Sequence, residues 1–186
     1  MSAWKKKRDI MRRYNVTAQI YDTRYADEQA SKIEAALEDV KVKAGLVLDV
    51  GCGTGILFSY VADLALMTVG LDISVKTLLE AKRRAKNYAS VHLILADADH
   101  MPLRREVFDD VFAITLIQNM PRKSETLKEI SRVAKDEASL VVTGLKKIFP
   151  RSKFEQLLKS EGLNIISVRN EGLNCHVAVC TKAKSD

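Results

Sequence analysis

A strand pattern that runs directly into closely spaced glycines restricts the fold of this chain more than any other feature. Residues 46–50 read LVLDV, a buried-strand pattern, and Gly51, Gly53 and Gly55 follow at every second position. Glycines let the backbone approach a ligand closely, and a helix that starts after such a turn presents N–H groups to a carboxylate or phosphate. The segment predicts a strand, turn and helix that bind a polar, partly anionic ligand; a glycine-rich turn without a ligand is the alternative.

The glycine spacing separates two classes of cofactor. Enzymes that bind dinucleotides favour GxGxxG, in which the third glycine lets the helix pack closely on the strand. Here Ile56 occupies that third position, and the pattern is DxGxGxG instead. Nucleotide-dependent oxidoreduction is therefore the least favoured function.

The remaining chain alternates short apolar runs with amphipathic stretches, which predicts an α/β fold with a mainly parallel sheet. A loop with Asn170, Gly172 and Asn174 joins the last two strands and is too short for a crossover helix, so this pair must be antiparallel. Ser74 is expected to cap a helix with Val75, Leu78 and Leu79 inward, and Ser152 with Glu155 predicts a capping box. Seven strands are predicted, six of them parallel, at 46–50, 68–72, 91–96, 110–117, 139–145, 164–168 and 176–181.

Composition narrows the class of protein. The 186 residues fit one compact domain, and 47% apolar with 29% charged residues is a globular balance. No uncharged apolar run is long enough to cross a bilayer, so no membrane association is expected. Three cysteines without a CxxC pair exclude a disulfide scaffold and favour the reducing cytoplasm.

The positive charge is concentrated at the start of the chain. Residues 1–24 hold seven Lys or Arg and two Asp, so they carry +5 of the net charge of +6. Such a concentration favours an anionic partner, nucleic acid first, whereas a solvated N-terminus is the alternative.

Two acidic positions strengthen the ligand interpretation. Asp72 ends the second predicted strand, where a carboxylate can accept from both hydroxyls of a ribose, although a simple helix cap is the alternative. Asp97 and Ala98 follow the third strand, where a carboxylate can accept from an exocyclic amine and the next N–H can donate to a ring nitrogen. All these residues lie at the carboxyl ends of adjacent strands, where open parallel sheets bind ligands.

Taken together, the motifs resemble a known family. VLDVGCGTG, GLDIS, ADADHMPL, FDDVFAITLIQNMP and LKEISRVAK resemble successive motifs of the class I S-adenosylmethionine-dependent methyltransferases of the type 11-like group, over roughly residues 14–181. The resemblance implies a transferase with a Rossmann-like sheet in the order 3-2-1-4-5-7-6, strand 7 antiparallel and helices on both faces. It also implies S-adenosyl-L-methionine as cofactor, S-adenosyl-L-homocysteine as product and no metal. Residues 1–45 would form a basic leader with lid helices, and residues 46–186 the methyltransferase domain.

The resemblance also assigns site residues. The three glycines would surround the methionine portion of the cofactor, Asp72 would hold the ribose, Ile73 would pack on adenine, and Asp97 with Ala98 would bind the adenine edge. The segment of residues 14–25 resembles a lid in which Tyr14, Tyr21 and Arg24 close over the cofactor; packing of a leader helix on the sheet edge is the alternative. The full predicted cofactor-binding set is Asp49, Gly51, Cys52, Gly53, Gly55, Asp72, Ile73, Asp97, Ala98 and Tyr21.

The acceptor side is less defined by the sequence. Amide oxygens of Gln118 or Asn119, after the fourth strand, are candidates to orient an incoming N–H or O–H, or else they cap backbone groups. No general base is identified. Leu145 to Arg151 leaves no space for an insertion, so an open site and a macromolecular acceptor, tRNA or rRNA, are predicted. The alternatives are a small metabolite capped by the N-terminal helices and a cofactor-binding subunit that needs an activating protein partner.

Overall fold

The computed structural model describes residues 2–183, which form a seven-stranded sheet flanked by helices. The strand order is β3-β2-β1-β4-β5-β7-β6; β7 is antiparallel to both neighbours and the other pairs are parallel. This confirms the predicted fold class. The strands are β1 Leu46–Val50, β2 Met67–Asp72, β3 Val91–Leu95, β4 Phe108–Ala113, β5 Ala134–Leu145, β6 Leu163–Arg169 and β7 Cys175–Lys182.

Alternation along the strands builds two apolar layers, one on each face of the sheet. In β4, Val111 and Ala113 pack into one cluster with α4 and α5, whereas Phe112 packs into the other with Ile33 of α1. Side chains of a strand point alternately to opposite faces, so both faces are buried under helices. The helices are α1 Ala3–Leu37, α2 Phe58–Val61, α3 Val75–Ala85, α4 Lys123–Val133 and α5 Arg151–Ser160, with a 3₁₀ turn at Ile117–Asn119.

Helix α1 crosses the carboxyl edge of the sheet. Its side chains contact, in chain order, Asp97 after β3, Ser74 after β2, Thr54 after β1 and Thr115 after β4. The region expected to hold a leader and lid helices therefore contains one helix of 35 residues. Within residues 2–183, no helix is both long and apolar enough to span a membrane.

Three local predictions are wrong. Helix α5 begins at Arg151 directly after Pro150, whose φ of −55° and ψ of 144° place it as the N-cap, so Ser152 lies inside the helix and forms no cap. The side chain of Glu155 instead accepts a hydrogen bond from Arg151 Nε at 2.7 Å. Proline at position 150, rather than the capping-box pattern, sets the start of α5, because proline fixes φ and is favoured where helices begin.

The second difference concerns α3, where Leu78 is buried but Val75 and Leu79 are 50% and 52% exposed. The buried stripe passes through Thr77, Leu78 and Ala81, which is the i, i+1, i+4 side of the helix. Ser74 does accept from the N–H of Thr77 at 3.3 Å, as its predicted role as N-cap requires.

The third difference is at β4, which ends at Ala113 rather than at residue 117. Thr115 has a φ of +61°, which no strand residue adopts, and the chain turns there into the 3₁₀ turn. Apolar residues continue past the end of the strand because Ile117 is buried in the core. The length of the apolar run therefore predicts a strand that is too long.

Candidate active site

The glycine-rich turn between β1 and α2 has left-handed backbone at each of its glycines. Gly51 and Gly53 have φ of +74° and +55°, and the N–H of Gly51 donates to the carbonyl of Leu71 at 2.7 Å. A Cβ on Gly51 would lie 2.9 Å from Cδ1 of Leu116, whereas a Cβ on Gly53 would meet nothing within 4 Å. The left-handed backbone thus favours glycine at both positions, and position 53 also has open space beside it.

Asp72 holds this turn in place. Its Oδ2 accepts from the N–H of Gly53 at 2.9 Å, and its Oδ1 accepts from the N–H of Ser74 at 2.7 Å. Burial raises the pKa of Asp72, and the two backbone donors oppose that rise. Each carboxylate oxygen has more than one lone pair, so Asp72 can also accept from ligand hydroxyls.

Turn and carboxylate face one cavity that is partly open to solvent. We call it the cofactor cavity. It brings together most of the predicted site residues: Gly51, Gly53, Asp72, Ile73, Asp97, Ala98, Tyr14, Tyr21 and Asn119. Gly55 is not among its lining residues, because the ring of Phe58 packs over that glycine. Arg24 is exposed and does not line the cavity either.

Asp49 and Cys52 face a smaller neighbouring cavity that shares Gly51, Gly53 and Tyr21 with the first. Burial, with the charge of Asp72 as a second cause, raises the pKa of Asp49 to about 8. Asp49 is 4% exposed, and among residues 2–183 no cation pairs with it. A buried carboxylate without a cation suits a positively charged ligand group. Burial also raises the pKa of the Cys52 thiol, which therefore stays protonated and unreactive.

Helix α1 closes the far end of the cofactor cavity with a lysine. Lys7 is 7% exposed, and its Nζ lies 2.7 Å from both carboxylate oxygens of Asp97. The same ammonium pairs with Asp99, whose N–H in turn donates to Asp97 at 3.0 Å. The side chain predicted to accept from an adenine amine therefore already accepts from Lys7. Sequence reasoning missed this pair because it treated all the N-terminal cations as one charged surface.

Further along, α1 is tied to the strand ends by polar side chains. Asn15 Oδ1 accepts from the hydroxyl of Ser74 at 2.8 Å. Asp22 accepts from the hydroxyl of Thr54 and from the guanidinium of Arg84, both at 2.6 Å. These contacts fix α1 over the glycine-rich turn.

Thr115 is held by the carboxyl-terminal part of α1. Its hydroxyl donates to Gln29 Oε1 at 2.9 Å and accepts from Lys32 Nζ at 3.0 Å. Lys32 is 1% exposed and also pairs with Glu28 at 2.6 Å. A left-handed threonine costs energy and persists only where its surroundings hold it, as they do here. Gln29 and Lys32 follow Tyr14, Tyr21 and Tyr25 at helical spacing on the same face of α1.

The two predicted acceptor-side amides have different surroundings. Asn119 Nδ2 donates to the hydroxyl oxygen of Tyr14 at 3.0 Å and to the carbonyl of Thr115 at 2.9 Å, and its Oδ1 accepts from Arg13 at 3.1 Å. The Asn119 amide is thus used to join α1 to the loop after β4. Gln118 is buried, and its Oε1 has no hydrogen-bond partner among residues 2–183.

A second, wider cavity opens beside the first, between α1 and the loops after β4 and β5. We call it the open cleft; it is lined by Arg13, Tyr14, Thr17, Tyr21, Tyr25, Glu28, Gln29, Thr115, Gln118, Asn119, Leu145, Lys146, Lys147, Ile148 and Asn174. Tyr14, Tyr21, Thr115 and Asn119 line both cavities and form the junction between them. The two cavities therefore lie side by side, with these four residues at their common boundary.

Strand order and site together define a class. A sheet in the order 3-2-1-4-5-7-6, with a glycine-rich turn after β1 and carboxylates after β2 and β3, is the architecture of the Rossmann-like S-adenosylmethionine-dependent methyltransferases. Residues 48–142 match the family model described as "Methyltransferase domain", and the chain belongs to this family of enzymes.

The chain is also similar to individual proteins. A malonyl-[acyl-carrier protein] O-methyltransferase of Marinomonas sp. is 31% identical over 148 residues, which cover 78% of this chain and 54% of that protein. The chain spans about half the length of the curated relatives it matches first. Its fold is similar to that of a Burkholderia thailandensis 1,6-didemethyltoxoflavin-N1-methyltransferase, which was solved with 1,6-didemethyltoxoflavin and S-adenosylhomocysteine. The TM-score is 0.83 at 13% sequence identity, and the match covers 99% of this chain and 92% of that one. It is also similar to a structure from a complex of the Haloferax volcanii Trm112 methyltransferase activator and a methyltransferase, with a TM-score of 0.80, 15% identity and coverage of 92% and 98%.

The residues present fit S-adenosylmethionine. The ligand combines a sulfonium and an ammonium with a ribose and an adenine, and the site offers a buried carboxylate without a cation, Asp49, beside a second carboxylate, Asp72, on the cavity wall. Open space over Gly53 leaves its backbone accessible. Within residues 2–183, no three His, Cys, Asp or Glu side chains are grouped as metal ligands.

Proposed function

We propose that this chain catalyses methyl transfer from S-adenosylmethionine to an acceptor bound in the open cleft. The observation that carries the proposal is the junction of the two cavities, one with carboxylates suited to the cofactor and the other open to an acceptor. When bound, the sulfonium supplies a methyl group that is already a good electrophile. The cofactor-binding set is proposed as predicted from the sequence, with Gly55 acting through the shape of the turn.

The residues of the chain mainly position and cover the reactants. Asp72 fixes the turn through Gly53, and α1 with Tyr14 and Tyr21 covers the junction and excludes water. Positioning of this kind can lower a barrier by about 7–11 kcal/mol. Burial raises the pKa of both tyrosines, so they remain neutral phenols that donate hydrogen bonds and do not act as bases.

A small-molecule acceptor is the first candidate. The basic leader forms a helix packed over the site, and one of its lysines, Lys7, is buried in ion pairs. This arrangement supports a cap over a small acceptor. The Marinomonas and Burkholderia proteins named above also act, by their names, on a carrier-bound malonyl group and a small heterocycle.

RNA is the second candidate, because most of the N-terminal cations stay on the surface. Lys5, Lys6, Arg8, Arg12 and Arg24 are exposed on α1. Phosphate contacts by such residues give affinity that falls with salt. RNA methylation predicts salt-sensitive binding of tRNA or rRNA that is lost when residues 1–13 are removed.

The test uses a labelled methyl donor with fractionated metabolite, RNA and protein pools. Label in the metabolite pool supports the first candidate, and label in tRNA or rRNA supports the second. Cofactor binding by calorimetry without transfer to any pool contradicts an autonomous enzyme and favours a subunit that needs an activating partner. Adding such a partner then distinguishes activation from inactivity. The three cysteines are buried free thiols, which supports the cytoplasm as the proposed compartment.

A further inference from the structure

The open cleft contains a buried acceptor that the chain leaves without a donor. Gln118 is 8% exposed, lines the cleft, and carries an Oε1 without a hydrogen-bond partner among residues 2–183. Buried polar atoms are nearly always satisfied, so an exception in a cleft needs an explanation. The neighbouring Asn119 amide is fully used by Tyr14, Thr115 and Arg13. Gln118 Oε1 is therefore the free acceptor beside the cleft, and it accepts from an N–H or O–H of a ligand once the side chain turns into the cleft.

Three tyrosines form one wall of the cleft. The ring centroids of Tyr14 and Tyr21 are 6.0 Å apart, with an angle of 53° between the ring planes. Those of Tyr21 and Tyr25 are 5.0 Å apart, with an angle of 47°. All three line the cleft. Rings in this arrangement offer faces and edges to another ring, which favours a flat aromatic ligand over an aliphatic one.

The charges around the cleft are positive. Arg13, Lys146 and Lys147 line it, and Arg13 lies 5.2 Å from the centroid of the Tyr14 ring. Glu28 is the one carboxylate among the lining residues, and the buried Lys32 neutralises it at 2.6 Å. A ligand with a negative charge therefore finds cations without an opposing free carboxylate.

The cleft offers no ionised base for an acceptor. Glu28 is engaged by Lys32, burial raises the pKa of Tyr14 and Tyr21 so that both stay neutral phenols, and no histidine lines the cleft. An acceptor that reacts here must bring its own ionised atom. Among described residues, the cations are the groups that can hold such an atom in place.

We propose that the open cleft binds a flat aromatic or heteroaromatic acid, with its ring against Tyr14, Tyr21 and Tyr25 and an N–H or O–H on Gln118. The proposal rests on the proposed function and names its substrate class. In the transfer, a bond forms between the ionised acceptor atom and the methyl carbon while the S–CH₃ bond breaks. The electron pair stays on sulfur as S-adenosylhomocysteine forms, and no proton has to be removed.

A matched set of probes tests each feature on the full chain saturated with S-adenosylhomocysteine. The probes are 4-hydroxybenzoate, the neutral 4-hydroxybenzamide, the non-planar trans-4-hydroxycyclohexanecarboxylate and the donor-free benzoate. Calorimetry should find 4-hydroxybenzoate bound about tenfold more tightly than each of the others, the ratio expected for one charge-assisted or aromatic contact. Gln118→Leu should remove the advantage over benzoate, and Lys147→Ala should reduce the advantage over the amide.

Exposed residues outside the cleft provide matched controls. Gln19→Leu and Lys86→Ala make the same chemical changes at exposed positions and should leave all the ratios unchanged. Equal binding of the probes, no binding, exclusion of the probes by bound tRNA, or unchanged ratios in Gln118→Leu would overturn the inference. Because S-adenosylhomocysteine binding is measured first, its absence would instead overturn the proposed function on which the inference rests.

Discussion

The cofactor cavity has two walls that are built in different ways. The strand side shapes the cavity with a backbone turn and with carboxylates at the ends of strands, and it consists of Gly51, Gly53, Asp72, Ile73, Asp97 and Ala98. The helix side is α1, which reaches the cavity with single side chains spaced along one face. The strand side is thus encoded in short contiguous motifs, whereas the helix side is encoded in scattered positions.

The two walls also differ in how they respond to a substitution. A substitution in the turn meets packed atoms or disfavoured backbone, as at Gly51, and has no local remedy. The ties of α1 are single hydrogen bonds and ion pairs, some of them as buried as that of Lys7, and a typical hydrogen bond contributes about 1 kcal/mol. We therefore expect strand-side changes to alter cofactor binding strongly, and helix-side changes to alter it modestly and sometimes in the opposite direction.

The largest effect is expected for Asp72→Ala. The change removes an acceptor for ligand hydroxyls and also the tie to the N–H groups of Gly53 and Ser74. Hydrogen bonds to a charged group contribute about 1.5–3 kcal/mol, so S-adenosylhomocysteine should bind about 100-fold more weakly by calorimetry. The control is Asp63→Ala, at an exposed carboxylate of the same type. Unchanged affinity in folded Asp72→Ala would show that the strand side is not the cofactor site.

The pH dependence of S-adenosylmethionine binding is expected to report on Asp49. With a pKa near 8, the free site holds a proton at pH 6–7 that a cationic ligand must displace. Affinity should therefore rise with pH, by up to about tenfold per unit, and level off above pH 8. Asp49→Asn removes the titrating carboxyl group, so any pH dependence of the affinity that remains in the variant arises from the ligand. Parallel curves for the two proteins would contradict a cation at Asp49.

The same carboxyl makes a prediction for stability without ligand. Its pKa is raised on folding, so the native state binds the proton more tightly than the unfolded chain between about pH 4 and pH 8. The contribution of Asp49 to the free energy of unfolding should fall as pH rises through this window. Urea unfolding of the wild type and Asp49→Asn at pH 5 and pH 8 measures it. A stability difference that does not change with pH would mean that Asp49 titrates normally.

An intermediate effect is expected for Gly53→Ala. Alanine at a φ of +55° costs about 1–2 kcal/mol, and a turn that relaxes weakens the Gly53 N–H bond that positions Asp72, so affinity should fall about fivefold. Gly172→Ala is a matched control, since Gly172 has a φ of +67° and open space but lies in the loop before β7. Both variants should lose stability, and only Gly53→Ala should lose affinity. Equal S-adenosylhomocysteine affinities of the two variants would show that the turn at Gly53 does not contribute to cofactor binding.

The smallest effect, of opposite sign, is expected on the helix side. Lys7→Met removes the ammonium from Asp97 and leaves its carboxylate able to accept from an adenine amine. S-adenosylhomocysteine should then bind about threefold more tightly and associate faster in stopped-flow measurements, because the adenine amine no longer has to displace an ammonium from Asp97. Lys6→Met changes an exposed neighbour and should have no effect. Weaker binding in Lys7→Met would make Lys7 part of the cofactor site itself.

These two walls also explain how much the sequence could predict. The sheet order is implied by the resemblance to a known family, and the clustering of Gly51, Gly53, Asp72 and Asp97 follows from short motifs, each at the end of a predicted strand. The pairing of Lys7 with Asp97 joins residues 90 apart, and it depends on how a long helix crosses the sheet. The buried face of α1 contains Lys7 and Lys32, which a pattern of apolar residues does not reveal. Arg24 lies on the exposed side of α1, and this orientation likewise depends on how the helix packs rather than on a short sequence motif.

A crystal structure of the protein with S-adenosylhomocysteine tests the central claim most directly. The account predicts the nucleoside in the cofactor cavity, with its ribose hydroxyls on Asp72, its ammonium beside Asp49, and its adenine amine on Asp97 in place of Lys7. Density for the ligand elsewhere, or an empty cavity at saturating concentration, would contradict it.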